Sequence, residues 1–333
     1  MVKIGVIGMG GMARGIHLPS LMEIENCKVV AICDHIEERL NAASEKFGIT
    51  SCYSLPHIML REEELDGVIC LVEPDRMFRV AYDCLEKGLP VMMEKPAGLD
   101  SHQAKSLARK AKEKGVRGAV AMNRRHVPVV QYAIRRMKEL TAINQVDGVF
   151  IKNSDIDETW CYASAFICDI IHAVDLLRYM ADSEPVKAAT VIAAINSPVD
   201  NAWSSVMSFE NGVTGTLKSN YRTGGRVHSF EIHGQGASAF INLGFGDESC
   251  DVKIIHSKGK MYSMSAGDVG EQVVEYVDGK ELAGGDEFYQ YYGFKQENID
   301  FIKCIAEGKK PLCDIDDAVK TMEALELLLR SEI

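Results

Sequence analysis

The stretch ICDIIHAVDLLR, residues 167–178, sets Asp169, His172 and Asp175 three residues apart inside an otherwise apolar run. Ionisable groups in such a run are costly to bury without partners. On a helix, at about 100° per residue, Asp169 and Asp175 fall about 60° to either side of His172, and Cys168 lies one turn below it, about 40° away. His172 is thus the centre of a narrow polar strip on an apolar helix. An imidazole in that setting can act as a general base, with Asp169 orienting it or holding a hydroxyl. The bland alternative is a satisfied core histidine beside an Asp175–Arg178 pair. Cys168 and His172 also have the spacing of metal ligands, but no second pair matches them, so no metal is expected.

A second candidate lies in PVMMEKPAGLD, residues 90–100, where a buried strand ends on Glu94-Lys95-Pro96. Ligands of open α/β sheets bind at the carboxyl ends of the strands. A lysine there, flanked by apolar residues, could be partly desolvated, which would lower its pKa and suit it to proton transfer. The alternative is an ordinary surface lysine after a strand.

A third is VKIGVIGMGGMARG, with Gly8-x-Gly10-x-x-Ala13 directly after a strand and opening a helix. Gly8 allows the tight turn, Gly10 lets a pyrophosphate approach the backbone, and Ala13 lets helix and strand pack closely. The helix start, with Gly11 and Met12, offers free N–H groups to the phosphates. Asp34 ends the next strand 24 residues after Gly10. Its carboxylate suits a ribose 2′-OH and repels a 2′-phosphate, so the expected dinucleotide is NAD, with NADP possible because His35 and Arg39 stand close by.

These residues need a frame, and the first 122 residues supply one. Short apolar runs at 2–7, 28–33, 67–72, 90–94 and 118–122 alternate with helical patterns at about 11–24, 36–47, 75–87 and 101–114. That alternation predicts a parallel sheet covered by helices. After about residue 140 the pattern changes. A strand at 145–152 and a helix at 164–181 precede strand-like runs at 186–195, 204–209, 212–220, 227–234 and 237–243, and helices at 287–306 and 314–331 close the chain. The later runs predict an open, mostly antiparallel sheet with one side packed on helices. The organisation read from this is a dinucleotide-binding domain over 1–122 and a substrate-binding and oligomerisation domain over 123–333.

Bulk properties bound the partners. The formal net charge of −11 over 333 residues makes nucleic acid and anionic membranes poor partners. The basic run at 105–117 reads as a solvated helix face. Ten cysteines without a CxxC pair suggest reduced thiols and a cytoplasmic protein. No stretch reaches transmembrane length.

Taken together, GVIGMGGMA (5–13), the CD at 33–34, MEKPAGL (93–99), MNRRHVP (122–128), HAVDLLRYM (172–180), FENGVTGTL (209–217), FEIHGQGAS (230–238) and NIDFIKCIAEGKKP (298–311) resemble the Gfo/Idh/MocA family of NAD(P)-dependent oxidoreductases. The resemblance spans nearly the whole chain. It implies a Rossmann domain followed by an α/β domain whose open sheet often forms the subunit interface, hence a dimer or tetramer. It places Lys95 in the EKP motif by nicotinamide and substrate, and His172 at the catalytic histidine. Substrates of the family are mostly sugars, cyclitols and their derivatives.

The expected activity is hydride transfer between a secondary alcohol of such a compound and NAD(P). Lys95, His172 and Asp169 are the catalytic candidates. Glu94 and Lys95 join Gly8, Gly10, Gly11, Met12, Ala13 and Asp34 at the cofactor. Arg124, Asn153 and Tyr221 are candidates for the substrate pocket, and Arg222 and Arg226, bracketing a glycine turn, either contact an anionic group or belong to a solvated loop. The family pattern usually has Asp four residues before the histidine, and this chain has Cys168 there, with Asp169 next to it. Two other activities known among such relatives fit the same motifs: a regulator that binds NAD and sugar without turnover, and an NAD-dependent glycoside hydrolase.

Overall fold

In the computed structural model, residues 1–157, 163–244, 246, 248–258 and 271–333 are described. The chain divides into two units. The first comprises Met1–Asn123, Cys161–Ile171 and Gly293–Glu323; the second comprises Arg124–Trp160, His172–Tyr292 and Ala324–Ile333.

The first unit is built on a six-stranded parallel sheet: β1 (Val2–Ile7), β2 (Cys27–Cys33), β3 (Ser51–Tyr53), β4 (Gly67–Cys70), β5 (Val91–Glu94) and β6 (Gly118–Ala121). The spatial order is β3-β2-β1-β4-β5-β6 and every pair is parallel. The order reverses between β1 and β4, which opens a crevice at their carboxyl ends. Between the strands run α1 (Leu18–Met22), α2 (Glu37–Phe47), α3 (Pro56–Glu62), α4 (Pro74–Glu86) and α5 (Ser101–Lys114). A single helical run from Gly11 to Met22 follows β1; its middle, Ala13–His17, has π-helical bonding. Helix ends follow sequence chemistry. Asp100 caps α5 by accepting from the Gln103 N–H at 2.8 Å, and Gly48 and Gly115 close α2 and α5 in the left-handed conformation.

The second unit contains α6 (Pro128–Leu140), β7 (Ile143–Asn153) and, after the π-helical segment Phe166–Ile170 of the first unit, most of α7 (Ile171–Ala181). Then come β8 (Pro185–Ala193), β9 (Ala202–Phe209), β10 (Thr214–Asn220), β11 (Arg222–Gly234), β12 (Ala237–Leu243), β13 (Cys250–Lys258) and β14 (Glu271–Asp278). They form an eight-stranded sheet ordered β14-β13-β12-β11-β7-β10-β9-β8, antiparallel except for the parallel β7–β10 pair. Residues alternate between faces, as a sheet half covered requires: in β9, Trp203, Ser205 and Met207 are buried, while Ser204 and Val206 are exposed. α6 packs on β11, β12 and β13. Trp203, Phe150, Phe230 and Tyr221 are enclosed in the core, each large ring contributing about 1.5–3 kcal/mol by burial. Short helices α8 (Gly279–Ala283) and α9 (Phe288–Tyr291) follow.

The chain then returns to the first unit through α10 (Phe294–Glu307) and most of α11 (Ile315–Arg330). Phe301 and Ile302 of α10 join the core made by Ile4, Val6, Ile32, Ile69 and Met92.

Three expectations need correction. The single helix expected at 287–306 is two, because Gly293 takes φ +89° and breaks it. RTGGR is not a turn: it lies inside β11, with a register shift against β7 between Arg222 and Val227 absorbing the glycines. The helix at 164–181 starts in π-helical form over Phe166–Ile170. No helix among the described residues is long and apolar enough to cross a membrane.

Candidate active site

The turn after β1 is built as its glycines require. Gly8 has φ +96°, and a Cβ there would stand 2.3 Å from the carbonyl oxygen of Leu71. Only glycine fits. A Cβ at Gly10 or Gly11 would meet no atom within 4 Å, so the backbone there faces open space. Ala13 is fully buried against the sheet, and Met12 is exposed.

Asp34 follows β2 and is almost fully buried. Its Oδ2 accepts the Met9 N–H at 2.6 Å and its Oδ1 the Ile36 N–H at 2.8 Å. The carboxylate therefore also braces the glycine turn. Each oxygen keeps acceptor capacity for a further donor such as a ribose hydroxyl. A cavity of about 230 Å³ is lined by Gly8, Gly10, Asp34, His35, Arg39 and Arg76. It lies at the carboxyl ends of β1, β2 and β4, the crevice predicted by the strand order. These residues fit NAD: a glycine turn whose open backbone can approach a diphosphate, and a carboxylate for a ribose at the far side.

Lys95 follows β5 in the same unit. The Lys95–Pro96 peptide is cis. Its Nζ donates to the main-chain carbonyl of Cys168 at 2.8 Å, and its own N–H donates to Glu94 Oε2 at 3.2 Å. The first unit thus carries Glu94, Lys95, Cys168 and Asp169 as well as the glycine turn, with Lys95 joined to Cys168. Cys168 is buried and Asp169 half-buried. The residue that holds the lysine is Cys168, but through its backbone, a contact that side-chain types at 168 do not announce.

The second unit carries His172, Arg124, Asn153 and Tyr221. His172 is half-buried at the start of α7. Asp175 is buried and takes a forked pair of bonds from Arg125, at 2.7 Å from Nε and 2.6 Å from Nη2. Arg178 Nη1 lies 3.8 Å from Asp175 and makes its own fork to Glu184, at 2.6 and 2.7 Å. Asp175 is therefore a structural ion-pair member, with Arg125 as a partner that sequence spacing did not suggest.

Arg124 is buried with its guanidinium 4.7 Å from the Phe150 ring centre, and His228 stacks on that ring at 3.8 Å. Lys152 lies 5.1 Å from the same ring and 5.8 Å from that of Tyr221. Burial, followed by the charges of Arg124, Arg226 and Lys152 and a smaller contribution from His172, drives the His228 pKa far down, so His228 is neutral. Tyr221 is enclosed, edge-on to Trp203. Asn153 is exposed at the end of β7, opposite Arg222. Arg222 pairs with Asp155, and Arg226 donates to the Tyr292 hydroxyl at 2.6 Å and the Leu243 carbonyl at 3.0 Å. A larger hollow of about 630 Å³ lies on the eight-stranded sheet, lined by residues such as Asp147, Val206 and Glu231. It holds none of the candidate catalytic groups and lies on the bare face of the sheet.

Comparison with known proteins agrees with this geometry. A profile of an oxidoreductase family with an NAD-binding Rossmann fold matches residues 2–122, and the profile of the GFO/IDH/MocA C-terminal domain matches residues 136–240. The chain is 27% identical to D-apiose dehydrogenase of Paraburkholderia graminis over 66% of this chain and 60% of that one, so it spans less than two thirds of that relative's length. It is 22% identical to myo-inositol 2-dehydrogenase of Thermotoga maritima over 95% of this chain and 92% of that one. Its fold matches the solved structure of UDP-N-acetylglucosamine 3-dehydrogenase from Acidithiobacillus ferrooxidans with a TM-score of 0.82, 20% identity, and coverage of 99% and 97% of the two chains. The chain belongs to the GFO/IDH/MocA family of oxidoreductases, with an NAD-binding Rossmann fold at its N-terminus.

Proposed function

We propose that this NAD(P)-dependent dehydrogenase of CH–OH groups acts on a secondary alcohol of a sugar, a cyclitol or a derivative of one. The observation that supports it most is the Lys95 ammonium, held 2.8 Å from the Cys168 carbonyl at the carboxyl end of β5, in the unit that also carries the glycine turn and Asp34. The substrate class is drawn from the relatives, which are dehydrogenases of apiose, inositol and glucosides.

When bound, nicotinamide supplies a hydride acceptor at C4. The remaining work falls to side chains. His172 takes the hydroxyl proton as the carbinol hydrogen departs with its electron pair. Lys95 stabilises the developing alkoxide. Asp169 orients His172 or holds a neighbouring substrate hydroxyl. Arg124, Asn153 and Tyr221 belong to the substrate-binding domain, which runs over 123–333 and follows the dinucleotide-binding domain over 1–122. The chain self-associates through the bare face of its eight-stranded sheet.

The test is purified protein with NAD and a panel of sugars, cyclitols and their phosphates, read at the absorbance of NADH. Net NADH with at least one member supports the proposal. Glycoside cleavage without net NADH, or tight NAD and sugar binding with neither, replaces it by the hydrolase or the regulator.

A further inference from the structure

Within the first unit, a line of buried polar side chains runs from the helix after the glycine turn to the end of β5, and the reaction above does not use it. His17 is fully enclosed. Its Nε2 lies 3.3 Å from Glu94 Oε1 and its Nδ1 3.1 Å from Asn298 Oδ1. Asn298 is enclosed as well and donates through Nδ2 to the Ser20 hydroxyl at 3.0 Å. With that nitrogen occupied, its oxygen is what faces His17, so Nδ1 donates.

Glu94 is the other neighbour. Burial works to raise its pKa, but the His17 contact and the charges of Lys95 and His17 outweigh it and hold the carboxyl below its ordinary range. Each ring nitrogen of His17 therefore has a polar partner, and the ring is held at both ends, by Asn298 on one side and Glu94 on the other. Glu297, on α10, is buried, and neither of its oxygens has a hydrogen-bond partner among the described residues. Burial first, and the negative Glu94 second, push its pKa well up, so it stays a neutral acid. Glu94 links the line to the reaction centre: Oε1 meets His17, while Oε2 accepts the main-chain N–H of Lys95.

Enclosed polar contacts of this kind add little net stability, because desolvation offsets most of the attraction, but they fix the orientation of the groups that make them. We infer that His17 is a positioning residue for the reaction at Lys95: tethered by Asn298, it clamps Glu94, and Glu94 holds the main chain from which the Lys95 ammonium reaches the Cys168 carbonyl. The inference rests on Lys95 belonging to the reaction centre.

The experiment has a substrate-free arm and a kinetic arm, both on the full chain. Acetic anhydride labelling followed by peptide mass spectrometry reads the rate at Lys95 against exposed Lys28 in the same molecule, for the parent, His17→Gln and Glu94→Gln. A rise of about threefold or more at Lys95 alone is expected in both variants, because the amine leaves its carbonyl. In the kinetic arm, on the alcohol found by the panel, His17→Ala is expected to lower kcat about tenfold, less than the roughly hundredfold or more that losing the acid–base group itself costs. The KM and the NAD dissociation constant stay within about twofold, since a positioning defect spares ground-state binding. Unchanged labelling of Lys95 overturns the inference, as does a fall in kcat matched by an equal loss of NAD affinity. If His17→Ala does not fold, the two glutamine variants carry the kinetic arm, and turnover within about twofold of the parent in both overturns it. Lys95→Ala separates the two levels: if it turns over normally, the assignment of Lys95 itself fails, whatever the labelling shows.

Discussion

At residue 168 the family resemblance leads one to expect a carboxylate and the chain has a thiol, yet the group of that residue in use is its main chain. The group that meets Lys95 is the Cys168 carbonyl, which every residue type possesses. Cys168 is buried and Asp169, next to it, is half-buried. A free thiol titrates near 8.5 and higher when buried, so it is a poor substitute for an acid. We therefore expect the acidic role to lie with Asp169. Cys168→Ala should leave kcat/KM within about twofold and Asp169→Asn should lower it about tenfold, while His172→Ala and Lys95→Ala lower it about a hundredfold, as losing a positioned acid–base group does. Loss of activity in Cys168→Ala with none in Asp169→Asn would place the thiol in the site instead. Asp34 makes a similar separation possible. Its carboxylate both faces the cofactor cavity and accepts from Met9 and Ile36. NAD should bind at least about tenfold more tightly than NADP, roughly 1.4 kcal/mol. Asp34→Asn should narrow the gap, and Asp34→Ala should in addition lower the melting temperature, because the buried Met9 N–H and the half-buried Ile36 N–H lose their acceptor. Equal affinities in the parent, by titration calorimetry, refute the role given to Asp34.

At the scale of elements, the turn after β1 separates glycines by function. A Cβ at Gly8 collides with a backbone carbonyl and takes an unfavourable φ, so Gly8→Ala should destabilise the fold by about 2–4 kcal/mol in denaturant melts. A Cβ at Gly10 enters open space, so Gly10→Ala should melt like the parent yet bind NAD about tenfold more weakly. Normal NAD affinity in Gly10→Ala would show that the diphosphate does not approach there. The same turn shows what made much of the fold readable. Fully buried parallel strands write themselves as runs of Val and Ile, and VKIGVI, KVVAIC and GVICLV became β1, β2 and β4 nearly residue for residue. β3 has three residues and no periodicity, and α3 has seven, too few for a helical stripe, so neither is legible in the sequence. α6 does carry a stripe, Val129, Val130, Ala133, Ile134 and Met137, at helical spacing. In the candidate site, Lys95 and His172 were legible because ionisable groups in apolar runs stand out. His17 was not: a histidine six residues after a glycine turn has no local pattern, and its partners Glu94 and Asn298 are 77 and 281 positions away.

At the scale of the whole molecule, the eight-stranded sheet leaves a bare face. Val191, Val206, Val274 and Tyr276 are each more than half exposed on its strands. Apolar surface of this extent on one sheet face is usually covered by a partner. We expect a dimer or tetramer closed through this face, with the isologous contact of a symmetric pair. Val206→Lys, in the middle of β9, should shift the mass seen by light scattering toward the monomer while leaving the melting temperature at low protein concentration nearly unchanged. A parent chain that scatters as a monomer at about micromolar concentration contradicts this.

The division of the chain into units has its own consequence for the order in which the protein is made. The first unit takes residues from three places, and its last contribution, Gly293–Glu323, comes from near the end of the chain. Until then its core lacks Phe301 and Ile302, His17 lacks Asn298, and the carbonyl of Cys313 has not yet met the Val120 N–H at 3.0 Å. A ribosome adding about 5–20 residues per second needs on the order of ten seconds or more to travel from residue 123 to residue 293. For that interval the glycine turn and its sheet wait unfinished, with apolar surface open to water. The unit that carries the glycine turn is begun early yet cannot be closed until residues 293–323 have been made, so removing that late segment damages a sheet laid down some 170 residues before it.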